Sequence, residues 1–186
     1  MRFRSHAACI AFVLALVALS ALSLQGAADA EDELKCAALL AFIQNSHWTE
    51  QPSSNTPLTV GVLGRPLFLR GVRNTLEGKV VEGRPLRIVE VAAQFDPRCC
   101  QVVYFATGQL AEIKTALQSV SSEHVLTVGE TSHFLEQGGA VNLFLADGHM
   151  AFEVSLEALN RSGVTVSSRL LRFGQIRDLQ KGRARK

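Results

Sequence analysis

Three cysteines, Cys36, Cys99 and Cys100, stand downstream of an apolar leader in this 186-residue chain, and a fourth, Cys9, lies inside it. In an oxidising compartment such thiols tend to pair. Three is an odd number, so at least one stays unpaired or pairs between chains. Neighbouring Cα atoms sit about 3.8 Å apart, against the ~4.4–6.8 Å a disulfide prefers, which disfavours a Cys99–Cys100 bridge. Cys36 bridged to Cys99 or Cys100 would close a loop of about 63 residues, worth roughly 4 kcal/mol in the chain-entropy model. Three states stay open: all thiols reduced, a Cys36 bridge, or a bridge between chains. No C-x-x-C is present, so a dithiol oxidoreductase finds no support.

The remaining reactive side chains assemble into nothing catalytic. His6, His47, His124, His133 and His149 form no H-x-H, H-x-x-x-H or Cys/His group at metal-ligand spacing, so no metal is expected. No G-x-S-x-G occurs, and Ser155, Ser167 and Ser168 read as helix caps. Gly61, Gly64 and Arg65 lie where an open α/β sheet often binds ligands. Yet GVLGRP matches neither a dinucleotide nor a Walker loop, and glycine as turn geometry is the simpler reading. Glu153 and Glu157 fall on a strand and a helix, which suits a solvated face better than a carboxylate pair. No cofactor and no enzymatic activity are expected.

The elements that would position these residues follow from periodicity. CAALLAFI (Cys36–Ile43) belongs to a largely apolar helix that begins in Glu31, Asp32 and Glu33 and ends at Trp48. LTVGVLG (Leu58–Gly64), QVVYFA (Gln101–Ala106) and VLTVG (Val125–Gly129) are short buried strands. Strand character also marks Val80–Val81, Leu86–Val91 and VTVSS. Pro66 opens a short helix through about Asn74, and Leu110, Ile113, Leu117 and Val120 mark another. Ser132 can cap a short helix closed at Gly138–Gly139. Asp147–Gly148, between two apolar runs, is a hairpin turn, and Ser155 caps a helix through Arg161 that Gly163 closes. A final amphipathic stretch carries Leu170, Leu171, Ile176 and Leu179. The expected fold is a single three-layer α/β domain: a mostly parallel sheet, helices on both faces and one antiparallel hairpin.

Arg2 and Arg4 precede an apolar run from Ala7 to Leu24, and Ala28-x-Ala30 suits a signal peptidase. Residues 1–30 are read as a cleaved export signal, although the run is also long enough for a retained anchor. The next stretch, 31–168, is the folded domain, with ten basic against fifteen acidic residues. The basic tail, 169–186, has seven basic residues and one acid, Asp178. Such a tail is either a solvated terminus or a contact for an acidic partner or anionic headgroups. Only 6% of residues are aromatic, and none interleaves with the tail's charges, which argues against nucleic acid. Candidate partner contacts are Trp48, Arg169, Leu170, Arg172, Ile176 and Arg177, with Arg183, Arg185 and Lys186 beyond them. For Trp48 and Leu170 the plainer alternative is core packing.

The order and spacing of these segments resemble the YfiR/HmsC-like family of bacterial periplasmic proteins. The segments are the helix ending in Trp48, LTVGVLG, GKVVEGRPLRIVEV, CCQVVYF, VLTVGE followed by Phe134 and Gly138–Gly139, VNLFLADGHMAFEV and RSGVTVSSRLL. The resemblance implies a non-catalytic periplasmic regulator that represses a membrane-bound diguanylate cyclase through that enzyme's periplasmic domain, and so sets cyclic-di-GMP and biofilm formation. It also implies an outer-membrane lipoprotein as a second partner and a homodimer. Some relatives place a cysteine in the first strand, where this chain has Gly61, so a family disulfide scheme does not carry over. A periplasmic small-molecule sensor, using the crevice beyond Gly64 and Gly129, is the alternative.

Overall fold

The computed structural model describes residues 28–49, 56–106, 108–120 and 124–177. Most of the stretch read above as an export signal, up to residue 27, and the basic end with Arg183, Arg185 and Lys186 lie outside the described residues. The chain divides into two units, Met1–Leu34 and Lys35–Lys186, and the fold below is that of the second. In chain order its elements are helix α1 (28–44), of which residues 35–44 belong here, and strands β1 (Ser46–Trp48) and β2 (Leu58–Gly64). Helix α2 (Pro66–Leu76), β3 (Val80–Val81), β4 (Arg84–Val91), β5 (Val102–Ala106), α3 (Leu110–Val120) and β6 (Leu126–Gly129) follow. The last part holds β7 (Val141–Ala146), β8 (His149–Ser155), α4 (Leu156–Arg161), β9 (Val164–Val166), α5 (Ser168–Leu171) and β10 (Gln175–Arg177). Single 3₁₀ turns occupy Pro97–Cys99 and Leu135–Gln137.

Eight strands form one sheet in the order β10-β8-β7-β6-β5-β2-β4-β3. The pairs β4–β2, β2–β5, β5–β6, β6–β7 and β8–β10 are parallel. Both faces are covered, which explains why every residue of β5 and β6 is buried: a central parallel strand needs apolar side chains on both sides. On one face Val60, Val62, Val102, Tyr104 and Val128 pack with Phe42 of α1, Phe68 of α2 and Leu159 of α4. On the other, Leu63, Val103 and Phe105 pack with Ile113 and Leu117 of α3 and with Phe134. The three-layer α/β reading is therefore the observed fold. In α2 the buried side chains are Phe68, Leu69, Val72 and Leu76, a three-to-four spacing that lines one helical stripe. Each such side chain taken out of water contributes about 1.5–3 kcal/mol.

The sheet has two antiparallel hairpins rather than one. β7 and β8 turn at Asp147 (φ 50°) and Gly148 (φ 76°), and β3 and β4 turn at Glu82 (φ 50°) and Gly83 (φ 79°). Both turns place two successive residues in the left-handed region, the signature of a type I′ hairpin. Glu-Gly advertises that turn less clearly than Asp-Gly, because an Asp side chain bonds its own backbone and tolerates positive φ better.

Two other expectations are corrected. Helix α1 stops at residue 44, where the Asn45 side-chain amide donates to the Ala41 carbonyl at 2.9 Å and ends the turn. Ser46–Trp48 then pairs antiparallel with β9, as a separate two-stranded sheet. The C-terminal stretch is not one amphipathic helix. A four-residue helix capped by Ser167 gives way to β10, which adds to β8 in parallel. Gly174 makes that change of direction possible, since a Cβ there would overlap the Phe152 ring.

Candidate functional site

Two places gather polar or exposed groups: the carboxyl ends of the central strands, and the edge formed by β10. From β2 the chain passes to β4 on one side and then to β5 on the other, so the sheet's order reverses between β2 and β5. Open α/β sheets bind ligands outside the strand ends at such a reversal. Here the spot is occupied by a buried ionic cluster. Glu130, directly after β6, accepts from Lys35 Nζ of α1 at 2.9 Å, from Arg65 at 3.1 Å and from the Tyr104 hydroxyl at 2.9 Å. The Lys35 and Glu130 side chains retain only 8% and 13% of their exposure, whereas Arg65 keeps 44%. Burial, with the Glu130 carboxylate beside it, pushes the Tyr104 hydroxyl far above its ordinary range. Arg65 also lies over the Phe68 ring at 5.0 Å.

Two cations face one carboxylate, so the guanidinium that made Arg65 an anion-site candidate already has a counter-charge. An open depression of about 320 Å³ lies beside the ends of β5 and β6, lined by Gly108, Leu110, Thr131, Ser132 and His133.

At the other place, Phe173 is 80% and Ile176 54% exposed. Arg169 and Arg172 are exposed on and just after α5, while Leu170 and Leu171 are half-buried against the core. Arg177 donates from Nε to Glu153 at 2.7 Å, and Asn142 Nδ2 donates to the other oxygen of the same carboxylate at 3.2 Å. Arg177 thus fastens β10 to β8, and the pairing raises its pKa. Glu153, expected on a solvated face, is instead mostly covered at 14% exposure. Among the described residues β10 is the outermost strand on its side. Such an edge leaves backbone donors and acceptors facing outward.

Trp48 does not offer a surface. It is 6% exposed, and its indole N–H donates to the Gln101 carbonyl at 3.2 Å. No disulfide joins Cys36, Cys99 and Cys100 to one another. Cys36 sits in the core on the α1 side and Cys100 in the core on the α3 side, so the sheet separates them and a Cys36–Cys100 bridge would require refolding. Gly61 is not a turn residue but the middle of β2, where a Cβ would stand 3.0 Å from Cys100 Sγ. Sequence reasoning missed Phe173, Glu130, Lys35 and Tyr104. Phe173 carried a readable signal, a lone aromatic between Arg172 and Gly174. The Glu130 cluster carried none, because its members come from four distant segments.

His47 pairs with Glu82 at 3.1 Å and His133 with Glu136 at 2.8 Å, both exposed. Among the described residues no three His, Cys, Asp or Glu side chains converge as a metal site, and no helix is long and apolar enough to cross a membrane.

Comparison with known proteins places these features in context. A family model described as YfiR/HmsC-like matches residues 32–175. No curated protein matches the chain. Among solved structures, a conserved domain protein from Vibrio cholerae O1 biovar El Tor is similar at 12% identity with a TM-score of 0.45. That match covers 63% of this chain and 54% of the other, so the chain spans about half the length of that relative.

Proposed function

The chain belongs to the YfiR/HmsC-like family, and we propose from this that it is an exported, non-catalytic regulator of cyclic-di-GMP signalling in the periplasm. In this reading residues 1–30 are the cleaved signal, and the folded chain holds a membrane-bound diguanylate cyclase in its inactive state by binding the enzyme's periplasmic domain. An outer-membrane lipoprotein would relieve the repression by competing for the regulator. The observation that carries the contact mechanism is the β10 edge. Phe173 and Ile176 are large apolar side chains held in solvent, flanked by the exposed Arg169 and Arg172. Aromatic anchors ringed by arginine are the usual composition of a protein-binding hot spot.

A regulator of this kind needs only a different affinity for two states of its target. Moving that target from mostly active to mostly inactive takes about 5 kcal/mol of difference, within what a few anchor residues supply. The test is capture of the cyclase's periplasmic domain by the purified protein, with cyclic-di-GMP measured in the deletion strain. Binding that weakens at least tenfold in Phe173→Asp, together with raised nucleotide in the deletion strain, supports the reading. An empty capture with unchanged nucleotide sinks it.

A further inference from the structure

Cys99 and Cys100 are adjacent in sequence, and their sulfurs lie 2.8 Å apart across a trans peptide bond. Cys99 ends the 3₁₀ turn Pro97–Cys99 and is exposed, whereas Cys100 is 2% exposed and faces Gly61 of β2. One thiol of the pair can therefore be reached from solvent, and the other is held against it. We propose that Cys99 and Cys100 form a reversible dithiol–disulfide pair, oxidised by exchange with a low-molecular-weight disulfide, and that closing the pair is transmitted through Gln101 to Trp48.

The chemistry proceeds in two exchange steps. Deprotonated Cys99 attacks one sulfur of the incoming disulfide; a mixed disulfide forms at Cys99 and the first small thiolate leaves. Cys100 then attacks the Cys99 sulfur, the ring closes, and the second small thiol departs with the Cys100 proton. Two protein thiols are oxidised and one external disulfide is reduced to two thiols. The order follows from access, and burial agrees with it by raising the Cys100 thiol above its ordinary range. Neighbouring Cα atoms, about 3.8 Å apart, are closer than an unstrained bridge allows. A strained bridge of this kind is readily reduced, so the pair acts as a switch and not as a structural staple.

The residue that follows is well placed to feel the change. The Gln101 backbone N–H donates to Thr59 of β2 at 3.0 Å, and its side-chain oxygen accepts from the Thr59 N–H at 2.9 Å. Its carbonyl accepts from Leu126 of β6 at 2.9 Å and from the Trp48 indole at 3.2 Å. Any rotation of the Cys99–Cys100 peptide moves the origin of β5 and, with it, the partner of the chain's single tryptophan.

The full chain, reduced and freed of reductant, is treated with oxidised glutathione, digested with trypsin and weighed. Cleavage after Arg98 and Lys114 yields one peptide, 99–114, that holds both cysteines and neither Cys9 nor Cys36. That peptide is expected to lose two hydrogens and to regain them with dithiothreitol. Trp48 emission is expected to shift in step, with both effects absent in Cys99→Ser. A lasting glutathione adduct, an unreactive peptide or a bridge to Cys36 overturns the pair. Ring closure with unchanged tryptophan emission overturns the transmission through Gln101.

Discussion

Glu130 is the side chain on which the carboxyl end of the sheet depends most. Lys35 is even more buried than Glu130, and breaking a buried ion pair by removing one member typically costs about 3–5 kcal/mol. Glu130→Ala should accordingly destabilise the fold by about 3 kcal/mol in urea denaturation. Arg65→Ala should cost under about 1 kcal/mol, because its half-exposed guanidinium is screened by water. Equal effects would show that Lys35 is not the main beneficiary of the carboxylate. Tyr104, the chain's single tyrosine, makes a second test possible. Its folded pKa is raised, so its contribution is complete below the unfolded value of about 10 and is lost as pH climbs above it. Tyrosinate absorbance should therefore stay absent in the folded protein and appear together with base unfolding; a separate titration near pH 10 would contradict the buried hydroxyl. None of this was legible in the sequence, since Lys35, Arg65, Tyr104 and Glu130 share no spacing and meet only through the sheet's order.

At the scale of elements, legibility followed local chemistry. The strands that are buried on both faces, the stripe of α3 and the Ser155 cap, whose hydroxyl accepts from Ala158 at 3.2 Å, all carry their signal within a few residues. β1 and β10 have three residues each, too few for a period, and each exists only because a distant strand pairs with it. Helix α2 carries a flaw that can be removed. Gly71 lies in its interior, and a Cβ there meets nothing within 4 Å. Gly71→Ala should stabilise the protein by up to about 1 kcal/mol, read as a raised denaturation midpoint. Gly139→Ala is the opposite case, because its Cβ would enter the ring of Phe134, which is itself wedged against Gly129. Overpacking of that kind costs about 1–3 kcal/mol. A neutral result at Gly139 would mean that the ring can swing aside.

For the whole molecule, the sequence announced the layers but not how they are closed. The closures join distant parts of the chain: Ser46 pairs with Val166, Trp48 with Val164, and Glu153 with Gln175. Such long-range pairing delays folding, because the entropy of bringing the ends together is spent before any contact rewards it. Ending the chain before Val164 removes the partner of β1 and all of β10, and should leave the product with the red-shifted emission of a solvated Trp48; native-like emission would show that β9 is dispensable. Under the export proposed above, the chain would be threaded through a secretion pore amino end first. With its last strands still inside, β1 has nothing to pair with and β8 remains an unprotected edge. On that proposal the architecture would keep the polypeptide pliable while in transit, and lock it once the carboxyl end has been released.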